Sequence, residues 1–458
     1  MSAPTTSSDR GGFQSRLGFI LAAAGSAIGL GNIWRFPYTA GENGGGAFIA
    51  LYLLCVLGLG VPVMLAELAM GRATRHNPVG AYARLGGRRW AAAGGLGVVT
   101  GFGILAFYSV VAGWTLGYLW HAVSGTFAQP IDAKTSGALF SGLISDPVWA
   151  VVLAGLFLAL TMVVVRAGVG GGIETASKIL MPVFFVLLLG LALRSVTLPG
   201  ASKGIAFMFE ADFSKIRAPV VAAAMGQAMF SLSLGMGAMI TYGSYFPRHE
   251  NLVVAGVSVA FFDTLIALLG GFLVFPALFA AGIEPSAGPG LVFVVMPTIF
   301  HHLPAGQLFA VAFYALLAIA ALTSTISLLE VVVSYFVDER GWRRPRAVYL
   351  VGGACFLLAV PSALSQGALP ALSDVLGTGQ GWLDWQSVVF GTYSLILGAL
   401  LTCVLVGWRW GAEAARAVVE EGGHRLPMAG LWSVLVRYVC PLAVVAVLVY
   451  VIRTGASF

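Results

Sequence analysis

The sequence predicts an all-α integral membrane protein of about eleven transmembrane helices, arranged as two inverted five-helix repeats with broken first and sixth helices. Three observations carry this reading. Hydrophobic residues make up 59% of the 458-residue chain and charged residues only 10%, against roughly 25% charged in soluble domains. Mean hydropathy is +0.91, which leaves too little polar surface to clothe a soluble globule, and roughly 250 apolar positions at about 20 to 25 per crossing supply ten to twelve spans. Finally, Gly and Ser interrupt two of the apolar stretches at matching places five spans apart. The composition excludes collagen, disorder and nucleic-acid binding, and it makes the lipid bilayer the chain's main partner.

The apolar stretches run near 15–40, 46–71, 91–123, 147–165, 173–193, 220–246, 251–282, 304–337, 345–363, 384–410 and 431–453. They divide the chain into an N-terminal tail (1–14), a first repeat (15–193), a connection (194–219), a second repeat (220–410) and a final loop and helix (411–458). The net charge is +6, and the basic residues mark one side. With the amino terminus inside, the cytoplasmic segments hold Arg10, Arg16, Arg72, Arg75, Arg84, Arg88, Arg89, Arg166, Lys178, Arg248, Arg340, Arg343, Arg344, Arg346, Arg409, Arg416, Arg425 and Arg437. The other side keeps only Arg35, Lys134, Arg194, Lys203, Lys215, Arg217 and Arg453. The positive-inside rule therefore puts the amino terminus in the cytoplasm, and an odd helix count puts the carboxyl terminus outside. The first ten residues are polar and lead into a span without a cleavage site, so a signal peptide is not expected. Cys55, Cys355, Cys403 and Cys440 all lie in apolar stretches, where they read as packing residues.

The first interrupted span reads Gly25-Ser26-Ala27-Ile28-Gly29-Leu30-Gly31-Asn32 and the sixth Ser231-Leu232-Ser233-Leu234-Gly235-Met236-Gly237. Each glycine weakens a helix by about 1 kcal/mol relative to Ala. Unwound backbone in lipid leaves N–H and C=O groups unpaired at several kcal/mol each, so it persists only where it lines a cavity or meets a ligand. Paired interruptions of this kind point to the binding site of a secondary transporter. Small residues that let helices pack closely are the alternative reading. Asn32, Ser231 and Ser233 beside the glycines favour a site.

Intramembrane polar residues add candidates. Asp263, inside AFFDTLIALLGG, costs about 2.5 to 3.5 kcal/mol to insert and needs a cation, a proton or hydrogen bonds. Thr323-Ser324-Thr325 supplies hard-oxygen donors suited to sodium, or hydroxyls bonded to the previous turn. Arg35 and Asp384 stand at span ends, either as a gate or as two interfacial charges. Glu67 and Glu330 are costly where they lie, and each admits a packing hydrogen bond. His301-His302 reads as a loop pair, not a metal site. The nucleotide-binding Gly-x-x-x-x-Gly-Lys-Ser/Thr loop, the HExxH helix and the redox CxxC are all absent. A carrier is expected, not an enzyme.

Arg16-Leu17-Gly18 leading into AAAGSAIGLGNIWRFPYTAGENGGGAFIALY, together with GQAMFSLSLGMGAMITYGSY, AGPGLVFVVMP and LTSTISLLE, resembles the neurotransmitter:sodium symporters, whose bacterial members carry amino acids. The resemblance covers nearly the whole chain. It implies substrate and two sodium ions held between the broken helices. The first ion would take the side chains of Asn32, Ser231 and Asp263 with the carbonyl of Ala27 and the substrate carboxylate. The second would take the carbonyls of Gly25, Ile28 and Ala320 with the hydroxyls of Thr323 and Ser324. Backbone N–H groups at Leu30 and Gly31 would meet a substrate carboxylate at a half-helix amino end, with Tyr108 as a further donor. The amine would meet the carbonyls of Ala27, Phe230 and Ser231 and the hydroxyl of Ser233, while Ile104, Met236 and Leu328 would line the side-chain pocket. Phe230 would close over the ligand.

The monoamine carriers of that family hold an acidic residue where this chain has Gly29, which implies an amino-acid substrate. Tyr52, Gln227 and Ser231 match positions around the chloride of animal members, but Asp263 supplies the negative charge itself, so chloride-independent transport is expected. Arg35 with Asp384 would form the outer gate, and Arg10 with Asp338, beside Tyr245 and Glu330, the inner one. Gly172 and Pro182 have the spacing some members use to unwind the fifth helix. Phe13 stands where a tryptophan is common, eleven spans are expected where many members have twelve, and the loop 124–146 lacks the paired cysteines of animal members. A bacterial inner membrane fits best. The expected function is sodium-coupled symport of a neutral, hydrophobic α-amino acid by alternating access. The alternatives are a carrier of a β- or γ-amino or sulfonic acid, such as GABA or taurine, and a transport-deficient receptor or channel on the same scaffold.

Overall fold

The computed structural model describes residues 11–285, 288–300 and 305–455, and every regular element among them is helical. Among the described residues nine helices are long and apolar enough to cross a membrane. They are Gly46–Thr74, Arg88–Val123, Pro147–Arg166, Val169–Val196, Leu252–Ala280, Gly306–Arg340, Arg344–Leu364, Trp382–Arg409 and Ala429–Thr454. A tenth span is the bent pair Arg16–Ala27 and Gly31–Glu42, whose halves meet at 51°. The eleventh is the shorter Ala218–Ser231, which resumes after a break as Ala238–Tyr245. In chain order the broken pieces are the first and sixth spans, each followed by four continuous ones, with one span left over.

Local chemistry sets the boundaries. Ser15 caps the first span by accepting from the Gly18 N–H at 3.0 Å, Asp146 caps the fourth through Val148 and Trp149 at 2.8 and 2.9 Å, and Asn251 caps the seventh through Val254 at 3.0 Å. Gly341 ends the eighth span in the left-handed region at φ 63°.

Burial separates an inner from an outer layer. The apolar windows of the third and eighth spans are 78% and 83% buried, whereas those of the fourth, fifth and eleventh are only 39%, 33% and 33% buried. The third and eighth spans therefore form the centre beside the broken pair, and the others present Val163, Val186, Leu357 and Leu442 outward to lipid. The second span packs backbone to backbone on the second half of the sixth. A Cβ on Gly71 would lie 2.0 Å from the Ile240 carbonyl oxygen, and one on Gly243 2.5 Å from that of Leu68.

The glycines of the two breaks differ in purpose. Gly235 and Gly237 are left-handed at φ 78° and 79°, which the sixth span needs in order to turn. Those of the first break have ordinary φ and serve close approach. A Cβ on Gly25 would meet Thr323 at 3.2 Å, and one on Gly29 would meet Ser324 Oγ at 2.5 Å and Tyr108 Oη at 2.8 Å. Both readings of the glycine pattern, unwinding and tight packing, are thus present in one fold.

The fifth span does not unwind between Gly172 and Pro182. Residues Val169–Glu174 form a π-helical turn that passes into a continuous α-helix, Thr175–Val196, with Pro182 inside it. The Glu174 carboxylate braces that turn, accepting from the Gln14 N–H at 2.7 Å, Ser15 Oγ at 2.9 Å and Lys178 Nζ at 2.6 Å.

Gly235→Ala combines a left-handed φ with a Cβ only 2.2 Å from the Leu395 carbonyl oxygen, whereas Gly200→Ala, at φ 86°, meets nothing nearer than 3.6 Å. The left-handed conformation alone costs a non-glycine residue roughly 1–2 kcal/mol. Thermal unfolding in detergent should therefore show a markedly larger drop in melting temperature for Gly235→Ala than for Gly200→Ala.

Candidate functional site

The two breaks face one another across the centre of the bundle. In the first span α-helical bonding stops at Ala27, Ile28 turns to extended backbone (φ −74°, ψ 106°), and the chain restarts at Gly31 in a π-helical turn running to Arg35. Two freed donors find partners: the Gly29 N–H donates to Asn32 Oδ1 at 3.0 Å and the Leu30 N–H to Tyr108 Oη at 3.0 Å. In the sixth span the helix stops at Ser231, and Ser233 sits in the left-handed region at φ 55°. The Gly235 N–H donates to Glu67 Oε1 at 2.8 Å. Ser233 Oγ donates to the Ser26 carbonyl at 3.0 Å, so one break is tied directly to the other.

Between them lies a narrow cavity of about 20 Å³. Its walls include Ala27, Gly31, Ile104, Tyr108, Phe230, Ser231, Ser233, Met236, Ser324 and Leu328, joined by Ser26, Gly29 and Ser327. Of the residues expected around a substrate, Leu30 alone faces elsewhere. It lines a second space of about 110 Å³ beyond Phe230, bounded by Trp34, Arg35, Tyr38, Leu383 and Ser387. Gly31, Tyr108 and Phe230 border both spaces.

Asp263 is fully buried beside the first cavity. Its carboxylate accepts from Asn32 Nδ2 at 2.8 Å, from Ser231 Oγ at 2.9 Å to each oxygen, and from Tyr52 Oη at 3.3 Å. Asn32 Nδ2 also reaches Ser231 Oγ and the Asp263 carbonyl, each at 3.1 Å. Gln227 Nε2 donates to the Gly31 carbonyl at 2.9 Å. Asn32, Ser231 and Asp263 thus stand together as the sequence suggested, and Ala27 lines the adjoining cavity.

A second oxygen cluster joins the first span to the eighth. Thr323 Oγ1 lies 3.0 Å from the Ala320 carbonyl oxygen and 3.4 Å from that of Ile28, and Ser324 Oγ lies 3.4 Å from the same Ile28 oxygen. Thr323 also bonds back to Ile319 at 3.2 Å. Gly25 packs directly on Thr323. Ser26 Oγ and Ser327 Oγ meet at 2.7 Å beside them.

The ends of the site are unlike each other. Toward Phe13 it is packed shut: Phe13 is buried edge-on against Phe19, Tyr242 and Tyr245. Tyr245 Oη donates to Glu330 Oε1 at 2.7 Å, and Glu330 forms an ion pair with Arg344. Asp338 accepts from the Asn77 N–H at 2.9 Å, and its expected partner Arg10 lies outside the described residues, as do His301 and His302. Toward Arg35 the site opens into the second cavity. Arg35 and Asp384 are not paired here: the guanidinium lies 4.6 Å over the Phe230 ring, and Asp384 accepts from the Gly381 N–H of its own helix end at 3.3 Å. At Glu67 sequence reasoning allowed a packing hydrogen bond but did not give its partner, Gly235. The role of Arg344 was missed, because it was one arginine among several in a connecting segment.

The sodium:neurotransmitter symporter family model matches residues 10–131 and 143–457. The chain belongs to this family. It is 37% identical over 439 residues, 94% of this chain and 96% of the relative, to the uncharacterized sodium-dependent transporter YhdH of Bacillus subtilis. It is 35% identical over 97% of its length, and 99% of the relative's, to an uncharacterized sodium-dependent transporter of Haemophilus influenzae. Among solved structures it is similar to MhsT in complex with L-phenylalanine, at a TM-score of 0.89 and 43% identity, covering 96% of this chain and 99% of that one. The protein is a multi-pass, sodium-dependent symporter of the sodium:neurotransmitter symporter family.

The Glu67 cap separates two variants. Glu67→Gln keeps an acceptor for the Gly235 N–H, whereas Glu67→Ala leaves that buried donor unpaired at roughly 1–3 kcal/mol. Hydrogen exchange should rise over residues 232–237 in Glu67→Ala and stay near wild type in Glu67→Gln.

Proposed function

We propose that the protein moves a neutral, hydrophobic α-amino acid together with two sodium ions, without chloride. The observation that carries this is the Asp263 carboxylate, fully buried beside the cavity and surrounded by oxygen-bearing side chains, with neither Lys nor Arg bonded to it among the described residues. A buried carboxylate is costly without a compensating cation, and hard oxygen donors suit sodium. Asn32, Ser231, Asp263 and the Ala27 carbonyl would hold the first ion, completed by the substrate carboxylate. Gly25, Ile28 and Ala320 carbonyls with Thr323 and Ser324 would hold the second.

Gly29 supports an amino acid over a biogenic amine. A Cβ there would lie 2.5 Å from Ser324 Oγ and 2.8 Å from Tyr108 Oη, so a carboxylate side chain that could pair with an amine would require both hydroxyls to move. The Gly31 N–H end and Tyr108 would receive the substrate carboxylate, the carbonyls of Ala27, Phe230 and Ser231 with Ser233 Oγ would receive the amine, and buried Ile104, Met236 and Leu328 would take an apolar side chain. The phenylalanine bound in the MhsT structure agrees with this. Chloride has no role in the proposal, since Asp263 already places a negative charge next to Tyr52, Ser231 and Gln227.

Alternating access would proceed by Arg35 leaving the Phe230 face to meet Asp384 as the outer side closes, and by separation of Phe13, Tyr245 and the Arg10–Asp338 pair as the inner side opens. Unwinding between Gly172 and Pro182 would accompany the second step. The repeats 15–193 and 220–410 would be the moving units, in a bacterial inner membrane with the amino terminus cytoplasmic and the carboxyl terminus outside.

A thermal-shift screen of the twenty amino acids tests substrate class, because ligands that bind the folded state raise its apparent stability. Phenylalanine, tryptophan or leucine should stabilise in sodium and not in potassium. Stabilisation by taurine or GABA alone would favour the β- or γ-amino acid reading, and binding without concentrative uptake in proteoliposomes would favour a receptor. Asp263→Ala should abolish the sodium-dependent shift. Replacing chloride by gluconate should change uptake by less than about twofold, a difference under ~0.5 kcal/mol.

A further inference from the structure

At the arginine-bearing end of the bundle the third, eighth and ninth spans leave a groove of about 530 Å³ between them, open sideways to the surrounding lipid. Its walls are apolar: Val99 and Phe102 from the third span, Phe336 from the eighth, and Leu350 and Ala354 from the ninth, with Trp342 of the eighth–ninth connection at its mouth. Val99 and Leu350 are about half exposed. Nothing in the transport site touches this groove.

The mouth is positively charged. The Arg346 guanidinium lies 4.9 Å over the Trp342 ring, and Trp342 is itself stacked on Phe336 at 4.6 Å. Arg344 is committed to Glu330, but among the described residues Arg343 and Arg346, both exposed, form no ion pair. Arg88 and Arg89 stand at the same end of the third span. From Arg346 to Ala354 the ninth span advances about eight residues, or roughly 12 Å, most of the ~15 Å of hydrocarbon in one leaflet. The cations therefore sit at headgroup level while the apolar walls run down through acyl-chain depth.

We propose that this groove binds one anionic phospholipid, its phosphate on Arg346 and Arg343 and one acyl chain along Phe102, Phe336 and Ala354. A cation fixed over an aromatic ring at a membrane interface suits an anionic headgroup. The groove shape suits a chain and not a soluble ligand. Phosphatidylglycerol is the test lipid, and zwitterionic phosphatidylcholine is the control.

The experiment is native mass spectrometry of the delipidated full-length protein titrated with each lipid. Wild type should retain one phosphatidylglycerol in preference to phosphatidylcholine. Arg346→Gln should lower that preference about fivefold, the effect of one surface arginine, without changing retention of phosphatidylcholine. Ala354→Trp, at a lipid-exposed position, should fill the groove and lose the bound lipid of either kind. Sodium-dependent thermal stabilisation, unchanged in both variants, shows that the fold and the transport site are intact. Equal retention of the two lipids by wild type, or phosphatidylglycerol retention in both variants equal to wild type, would overturn the proposal.

Discussion

The structure depends on how peptide groups are satisfied where two helices stop inside the membrane. A helix satisfies its own backbone; a break does not, and lipid offers no substitute. Each break here borrows a side chain from a continuous neighbour. Tyr108 of the third span takes the Leu30 N–H, and Glu67 of the second takes the Gly235 N–H. An unmet buried donor costs roughly 1–3 kcal/mol, so these partners hold the breaks in one shape before any ligand arrives. That in turn explains why the third span is among the most buried and why Glu67 is tolerated at membrane depth. Preorganisation of this kind lowers the ordering cost of binding.

The same economy of groups links ions to substrate. Ser231 ends the first half of the sixth span, donates to Asp263 and lines the cavity; Ser324 lines the cavity and approaches the Ile28 carbonyl. In the proposed mechanism each therefore belongs to an ion site and to the substrate site at once. Two ligands that share contacting groups change each other's affinity by the same factor. Coupling then needs no long-range path, because the distance between the sites is one side chain.

Much of this was legible in the sequence, for a reason peculiar to membranes. Hydrocarbon thickness fixes how long an apolar stretch must be, so the reading of 15–40 meets the observed Arg16–Glu42, and 220–246 meets Ala218–Tyr245. The clustering of Asn32, Ser231 and Asp263 was legible only through the family pattern, since these residues are far apart in the chain. What stayed hidden depends on tertiary contact. The pairing of Glu67 with Gly235 spans 168 positions, and no local pattern encodes it. Nor does a glycine reveal whether it serves conformation, as Gly235 does, or proximity, as Gly29 does. The charges at span ends illustrate a further limit: Arg35 and Asp384, the proposed outer gate, are compatible with both a closed and an open end, and the sequence does not choose between conformers.

The structure does choose, and the asymmetry between its ends has an energetic reason. On the Arg35 side, the cavity and the outer space share Gly31, Tyr108 and Phe230 as walls, and a guanidinium rests on the Phe230 ring. Rearranging that contact involves a cation–π interaction of about 0.5–2 kcal/mol. On the Phe13 side, opening must disturb an aromatic cluster and a fully buried carboxylate, Glu330, held by Tyr245 and Arg344. Removing one partner from such a pair costs roughly 3–5 kcal/mol until water replaces it. The Phe13 end is therefore the costlier one to open. Opening it requires that substrate and ions bind the intermediate states more tightly than the resting one, because a ligand shifts a conformational equilibrium only by its differential affinity. In the proposed mechanism burial of Asp263 would supply such a differential: a sodium ion is worth most where that carboxylate is sealed from water, so closure over the loaded site would provide the free energy for the inner end to open.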